Sequence, residues 1–242
     1  MQIFISFLLL LNSWSYTEPT PKPFVLVELF TSEGCSSCPP ADVLLSSIVD
    51  ENFEDVEVIG MSFHVDYWDY IGWKDPYADQ KYTQRQRTYA RKFHSNQVYT
   101  PQMIVNGKYE FVGSDRSKWN SVFSKANVGE PAYSIRLEKM EVDNHELVIK
   151  VSSGSNSRVV LNAAIVERGL SQKVTRGENN GRKLSHDNVV RSFKGRQFDG
   201  QENEIRLTVP GDLTISNASL ILYVQDEKSW EVIGALKVPL EP

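Results

Sequence analysis

The hydrophobic pattern of this chain changes near its middle, and that change limits the possible folds more than any other feature. In the first part, short apolar runs typical of strands alternate with segments of helical period. The strand-like runs are FVLVELF, VEVIGMSF, QMIV and YEFV, and the helix-like segments are ADVLLSSIV, 77–93 and RSKWNSVFSKA. The order β-α-β-α-β-β-α predicts a layered α/β domain whose first two strands are parallel, because a crossover helix joins them.

The second part, after Pro131, contains strand-like runs with no helical segment between them. These runs are SIRLEKMEV, HELVIKVSS, RVVLNAAIVER, EIRLTVP, SLILYVQD and VIGALKVPL. Such a pattern predicts an all-β antiparallel sandwich, so we expect two domains, at residues 16–128 and 129–242. The segment 169–200 is polar and rich in glycine, and we interpret it as a long loop outside the core, either functional or disordered.

The first 15 residues have the features of a secretory signal peptide. An apolar run from Ile3 to Leu11 is too short to span a bilayer as a helix, and Ser13 and Ser15 provide a small-x-small cleavage pattern. We therefore expect export to the periplasm or the medium, and a mature chain without a stable membrane span. In that oxidising setting a cysteine pair can exist as a dithiol or as a disulfide.

The overall charge excludes one large class of partners. The formal net charge is −5 and the sequence pI is near 5.5, whereas a surface that binds nucleic acid or an anionic membrane needs an excess of cations. We expect no nucleic-acid partner. The sequence also contains no glycine-rich nucleotide loop, so no cofactor is expected.

The two cysteines of the chain form a Cys-x-x-Cys motif between the first strand and the first helix. A thiol at the start of a helix lies near unpaired N–H groups and the positive end of the helix dipole, which stabilise its thiolate. Cys38 follows Cys35 by one helical turn and can resolve a mixed disulfide. The motif therefore predicts Cys35 as nucleophile and Cys38 as resolving cysteine, with protein or small-molecule disulfides and thiols as partners.

The order of these motifs resembles the thioredoxin fold over about Phe24 to Asn127. That resemblance implies that Pro101 is a cis-proline beside the cysteine pair and that Thr100 presents its backbone to a bound substrate. The motifs VELFTSEGCSSCPPAD, FHVDYWDYIGWKDPYA, TPQMIVNG and GENNGRKLSHDNVVR are also similar to the secreted bacterial thioredoxin-like proteins grouped as domain-of-unknown-function family 1223. The expected fold is thus a thioredoxin-like α/β domain followed by the sandwich.

A second group of polar residues, HVDYWD, comes directly after the second strand. Since the carboxyl ends of parallel strands meet at one sheet edge, this segment is expected beside the cysteines. There His64 could carry protons for the thiol chemistry and Asp66 could tune a cysteine pKa. The alternative is that both residues only hydrogen-bond a loop while neighbouring aromatic residues pack beneath it.

Three functional interpretations of the cysteine pair stay open at this point. The first is a thiol–disulfide oxidoreductase. The second is a binding module with a permanent disulfide, although a bridge over two residues constrains the unfolded chain very little. The third is a protein that binds Cu(I) or Zn, although the histidine spacing completes no closed zinc site and no metal ligands are assigned.

The basic segment GENNGRKLSHDNVVR provides one further hypothesis. It could fold back over the first domain and cover the cysteine edge, with His186 or Arg182 near the site. The alternative is an ordinary hairpin with solvated charges.

Overall fold

The computed structural model describes residues 23–126, 131–153, 158–201 and 203–240. The expected signal peptide at 1–15 and the expected domain boundary at 128/129 lie outside these ranges, so both stay predictions. Within the described ranges no helix is both long and apolar enough to cross a membrane.

The described residues form three α-helices and thirteen β-strands. The helices are α1 (Pro39–Asp50), α2 (Gln80–Lys92) and α3 (Arg116–Ala126). The strands of the first part are β1 (Phe24–Thr31), β2 (Glu57–His64), β3 (Gln102–Val105) and β4 (Tyr109–Val112). Those of the second part are β5 (Arg136–Asp143), β6 (Glu146–Ser152), β7 (Val159–Glu167), β8 (Leu170–Lys173), β9 (Lys183–His186), β10 (Val189–Phe198), β11 (Asn203–Thr208), β12 (Ala218–Asp226) and β13 (Val232–Pro239).

Local sequence explains where several elements begin and turn. Helix α1 begins with Pro39 and Pro40, at positions where the missing N–H groups have no helical partner to lose. The side chain of Asp79 caps α2 by accepting a hydrogen bond from the Lys81 N–H at 2.8 Å. Asn106 and Gly107 both have positive φ angles in the three-residue turn between Val105 and its strand partner Tyr109, and such left-handed backbone favours Asn and Gly.

One eight-stranded sheet runs through both parts of the chain, in the order β13-β12-β7-β10-β2-β1-β3-β4. Strands β1 and β2 are parallel, as the pattern predicted, and β3 and β4 continue the sheet in antiparallel fashion. The two parts meet where β10 pairs in parallel with β2, through Val189 and Ser62. Strands β11-β6-β5 form a second sheet, and β8 pairs with β9 in a separate hairpin.

Alternate residues of the large sheet face different partners. On one face, α1 and α3 pack on β1 to β4, and the β11-β6-β5 sheet packs on β7 and β12. On the opposite face, α2 packs across both parts, with Tyr82 and Tyr89 in one core with residues of β2, β7 and β12. The structure therefore confirms a mixed α/β fold made mostly of strands. It also shows that one sheet runs through both parts of the chain, which the change of hydrophobic pattern did not predict.

The interpretation of 169–200 as a long loop was wrong. This segment contains β8, β9 and β10, and β10 is an interior strand of the large sheet. Its sequence VVRSFKGRQF concealed the strand because four consecutive residues, Lys194 to Gln197, are exposed. Pairing with β7 along its length compensates for this polarity, since strand hydrogen bonds depend on the backbone and not on the side chains.

A buried ion pair fixes α2 to the sheet. Arg85 of α2 donates hydrogen bonds to both carboxylate oxygens of Glu28 on β1, at 2.5 and 2.9 Å, and to the Gln225 side chain of β12 at 2.9 Å. Burial alone would lower the pKa of Arg85, but the charge of Glu28 outweighs it and raises that pKa well above its ordinary value. Arg85 is therefore a cation within the core.

Replacing Arg85 by Ala should lower the free energy of unfolding by about 3–5 kcal/mol, because it removes the counter-charge of buried Glu28 and leaves it only the hydrogen bond from the Tyr89 hydroxyl. Urea denaturation followed by circular dichroism measures this change. The matched control is Lys81→Ala on the same helix, which removes an exposed pair with Asp79 and should cost less than about 1 kcal/mol. Equal losses in the two variants would contradict the role assigned to Arg85.

Candidate functional site around the Cys35–Cys38 disulfide

The Cys-x-x-Cys motif forms the turn that leads into α1. The Cys38 N–H bonds to the Cys35 carbonyl at 3.2 Å, and the Cys38 carbonyl accepts from Ala41 at 2.8 Å, which makes Cys38 the residue that caps the helix. Cys35 and Cys38 are joined by a disulfide. The motif thus lies at a helix start, as the sequence predicted.

Both cysteines are completely buried, although the two residues between them are exposed. Cys35 and Cys38 have 0% relative exposure, while Ser36 and Ser37 lie at the surface. Part of their cover comes from a distant segment of the chain that is hydrogen-bonded to the motif.

That segment is the loop between β8 and β9, residues 174–182, which we call the cap loop. The side chain of Asn179, itself 0% exposed, donates hydrogen bonds to the carbonyls of Glu33 and Cys35 at 2.8 and 3.0 Å. The Glu178 carboxylate accepts from the N–H and the hydroxyl of Ser36 at 3.0 and 2.7 Å. The cap loop is therefore hydrogen-bonded directly to the motif.

The cap loop has a defined shape of its own. Backbone hydrogen bonds join Val174 to Arg182 and Gly181 to Val174, and Arg182 donates to the Asn179 side chain at 2.7 Å. Gly177 has a φ of +72°, and a Cβ there would lie 2.8 Å from Ile71. Only glycine fits this conformation and this close approach without strain.

A buried carboxylate, Glu33, connects the motif to the rest of the site. One of its oxygens accepts from the Trp73 indole N–H at 2.8 Å, and the other is 3.1 Å from Nε2 of His186. Its own N–H donates to Asp75 at 2.8 Å. Glu33, which precedes Cys35 by two residues, is therefore hydrogen-bonded to other parts of the protein through both its side chain and its backbone N–H.

Two histidines face each other beside Glu33. His64, at the end of β2, is 2.7 Å from Asp75 through Nδ1, and its ring packs edge-on against that of His186 with centroids 5.0 Å apart. Burial alone would raise the pKa of Asp75, but the charge and hydrogen bond of His64, with the N–H groups of Glu33 and Tyr77, lower it. Asp75 is therefore a carboxylate.

His186 comes from β9 and lies between two acidic residues. Its Nε2 faces Glu33, and its Nδ1 is 3.7 Å from the Asp42 carboxylate of α1. Burial alone would lower the pKa of His186, but Asp42 and Glu33 outweigh it and raise that pKa to about 10. His186 is thus a buried cation at neutral pH.

The structure places the residues predicted for substrate binding in different surroundings. His64 joins the buried cluster, whereas Asp66 exchanges hydrogen bonds with Thr83 of α2. The Thr100 hydroxyl accepts from the Trp68 indole. The Thr100–Pro101 bond is cis. A Cβ added to Gly113 would lie 3.2 Å from both Pro101 and Ala41, so Pro101 lies close to the first turn of α1. Their roles in binding stay predictions.

Sequence reasoning missed five residues of the site: Glu33, Asp42, Asp75, Glu178 and Asn179. Two of them had a usable signal, since Glu33 precedes Cys35 by two residues and Asp42 follows Cys38 by one helical turn. The others reach the site through tertiary contacts.

The hypothesis that the basic segment covers the cysteine edge is confirmed, with His186 in the buried cluster and Arg182 hydrogen-bonded to Asn179. The described residues contain no group of three or more His, Cys, Asp or Glu side chains arranged to hold a metal ion.

The fold and this site define a class: mixed α/β proteins in which a Cys-x-x-Cys disulfide begins a helix under cover from the C-terminal part of the chain. Within that class, the chain belongs to the family described as "Protein of unknown function (DUF1223)", which matches residues 26–225. This confirms the family membership expected from the motifs. No curated protein matches the chain.

Two solved structures share the fold over most of the chain. A crystal structure of a protein from Agrobacterium tumefaciens is 28% identical, covers 93% of this chain and 97% of its own, and superposes with a TM-score of 0.66. HBP35 of Porphyromonas gingivalis is 14% identical, covers 92% of this chain and 77% of its own, and has a TM-score of 0.61. At 14% identity, the similarity to HBP35 shows a shared fold and nothing more.

Replacing Asn179 by Ala should speed the reduction of the disulfide by dithiothreitol. The variant loses two buried hydrogen bonds of the cap loop, together about 2 kcal/mol, which corresponds to about 30-fold more of the open form. Thiol release under limiting reductant measures the rate. Asn180→Ala, which changes an exposed neighbour of the same type, should react like the wild type, and equal rates in all three proteins would show that the cap loop does not control access.

The raised pKa of His186 should make its contribution to stability depend on pH. Since the folded protein holds this proton more tightly than the unfolded chain, the contribution is complete below pH 6.5 and is lost as the pH rises to about 10. The difference in free energy of unfolding between the wild type and His186→Gln should shrink over that range. His94→Gln, which changes an exposed histidine, is the control for the substitution itself, and a flat difference for His186→Gln would contradict the assignment.

Proposed function

We propose that this protein is an exported thiol–disulfide oxidoreductase that acts on protein or small-molecule disulfides and thiols. The observation that carries the proposal is the Cys35–Cys38 disulfide at the start of α1. A bridge over two residues contributes little chain-entropy stabilisation. Its position at the positive end of a helix dipole favours a thiolate after reduction.

The proposed reaction is an exchange of two electrons between two sulfur pairs. In the reduced protein, the Cys35 thiolate attacks one sulfur of the substrate disulfide, whose other sulfur leaves as a thiolate. The Cys38 thiolate then attacks Cys35, which breaks the mixed disulfide and releases the second substrate sulfur. The cysteine pair is oxidised and the substrate disulfide is reduced. The reverse sequence oxidises a substrate dithiol.

The arrangement of the first part supports a thioredoxin-like interpretation. Strands β4-β3-β1-β2 lie side by side with β1 and β2 parallel, the cysteines follow β1, and the Thr100–Pro101 bond before β3 is cis. The resemblance to thioredoxin implied the cis-proline, and the crossover helix predicted the parallel pairing. The export part of the proposal rests on the signal-like sequence before Tyr16.

Replacing each cysteine by serine should separate the two steps of the reaction. Cys35→Ser should abolish exchange with a disulfide peptide, because it removes the nucleophile. Cys38→Ser should accumulate a mixed disulfide, visible as added mass under non-reducing conditions. Ser121→Ala, at an exposed position of α3 away from the motif, serves as the control and should keep exchange. Full activity of Cys35→Ser would overturn the proposed function.

A second candidate function is a binding module in which the disulfide is permanent. The complete burial of both sulfurs under the cap loop favours it. The midpoint potential of the cysteine pair in glutathione and dithiothreitol buffers distinguishes the two functions. A potential below about −300 mV is typical of structural disulfides and would favour the binding module, whereas a higher value would favour exchange.

A further inference from the structure

Four cationic side chains are concentrated on the hairpin that helps to cover the disulfide. All four are exposed and lie between the end of β8 and the start of β9: Lys173, Arg176, Arg182 and Lys183. Among the residues that the structure describes, none of the four forms an ion pair with a carboxylate. The protein as a whole is acidic, with a net charge of −5, so this group is a local cationic surface, which we call the cationic cap surface.

Two of these cations lie directly opposite each other. Lys173 of β8 and Lys183 of β9 are partners in the strand register, and like charges in this position destabilise an antiparallel pair. Side chains alternate between the two faces of a strand, so the buried Leu184 and His186 occupy the inner face of the hairpin and the two lysines occupy its exposed outer face. An anion bound to this outer face would relieve their repulsion.

The one acidic residue of the cap loop does not neutralise these cations. The Glu178 carboxylate instead accepts hydrogen bonds from the N–H and the hydroxyl of Ser36, at 3.0 and 2.7 Å. The cationic charge of the hairpin is therefore left for a partner outside this chain. The contact with Ser36 also shows that the surface beside the disulfide binds a carboxylate.

We propose that the cationic cap surface is the docking site for a partner protein whose disulfide or thiols are flanked by acidic residues. This inference rests on the proposed function and deepens it, since it names the class of partner that reaches the cysteine pair. The carboxylate held at Ser36 favours an acidic protein over a nucleic acid as that partner. Complementary charge across such a surface speeds the encounter and selects among partners.

The same surface connects docking to the opening of the cap loop. Arg182 donates a hydrogen bond to the Asn179 side chain at 2.7 Å, and Asn179 in turn holds the Cys35 carbonyl. A carboxylate is a stronger acceptor for a guanidinium than an amide oxygen is. A partner carboxylate bound to Arg182 therefore draws this guanidinium away from Asn179 and weakens the closed form of the loop.

The experiment compares two disulfide peptides that differ only in the residues flanking the disulfide, Glu in one and Gln in the other. The reduced protein should reduce the Glu peptide about 10-fold faster at low salt, the lower end of the usual effect of electrostatic steering. This advantage should shrink as added salt screens the exposed charges. Reduction of both peptides by dithiothreitol, which is uncharged, corrects for their intrinsic reactivity.

Neutralising the opposed lysines tests the surface directly. Lys173→Gln combined with Lys183→Gln should remove most of the advantage of the Glu peptide. Its melting temperature should stay the same or rise, because the substitutions remove a repulsion, so a lost advantage is not a lost fold. The matched control combines Lys118→Gln with Lys125→Gln, at exposed positions of α3, and should keep the advantage although it changes the net charge equally.

The remaining outcomes separate this inference from the proposed function. Equal corrected rates for the two peptides, or an undiminished advantage in the Lys173 and Lys183 double variant, would overturn the docking site and leave the oxidoreductase standing. An oligonucleotide of the same charge that inhibits better than a cysteine-free Glu peptide would overturn the assignment to an acidic protein. Absence of exchange with both peptides, in the wild type and in Asn179→Ala, would overturn the proposed function and this inference with it.

Discussion

The buried charge of Arg85 is the constraint on which the rest of the structure depends. A guanidinium in the core needs its donors paired, and here the partners come from β1, from α2 itself and from β12. These hydrogen bonds hold the three elements together. They fix the last strands of the chain against the first ones within a continuous sheet, and this placement brings the β8–β9 hairpin to the start of α1.

The site is built from a charge pattern that the fold alone does not require. Three buried acidic side chains, Glu33, Asp42 and Asp75, surround two buried histidines. Replacing such groups by apolar residues of similar volume is often neutral or stabilising in proteins. Titratable groups with shifted pKa values are concentrated at functional sites. A cluster of buried acidic residues and histidines beside a disulfide is therefore more typical of a functional site than of a structural core.

The sequence predicted what depends on local period and missed what depends on tertiary partners. The helices and the strands up to Ala126 follow from apolar spacing, and α3 has the bounds of the segment RSKWNSVFSKA. Strand β10 escaped notice because its backbone pairing outweighs its polar side chains. Asn179 carried no signal, since its role depends on a carbonyl 144 residues away. Asp42 was accessible in principle from its helical spacing to Cys38.

The distance along the chain between the cysteines and their cover has a consequence for the order of assembly. Asn179 reaches the Cys35 carbonyl across 144 residues, and contacts of such long range form slowly because they must offset a large loop-closure entropy. During synthesis from the N-terminus, the cysteines emerge well before the cap loop exists. The cap loop can therefore reach the motif only after the chain has been made as far as the β8–β9 hairpin.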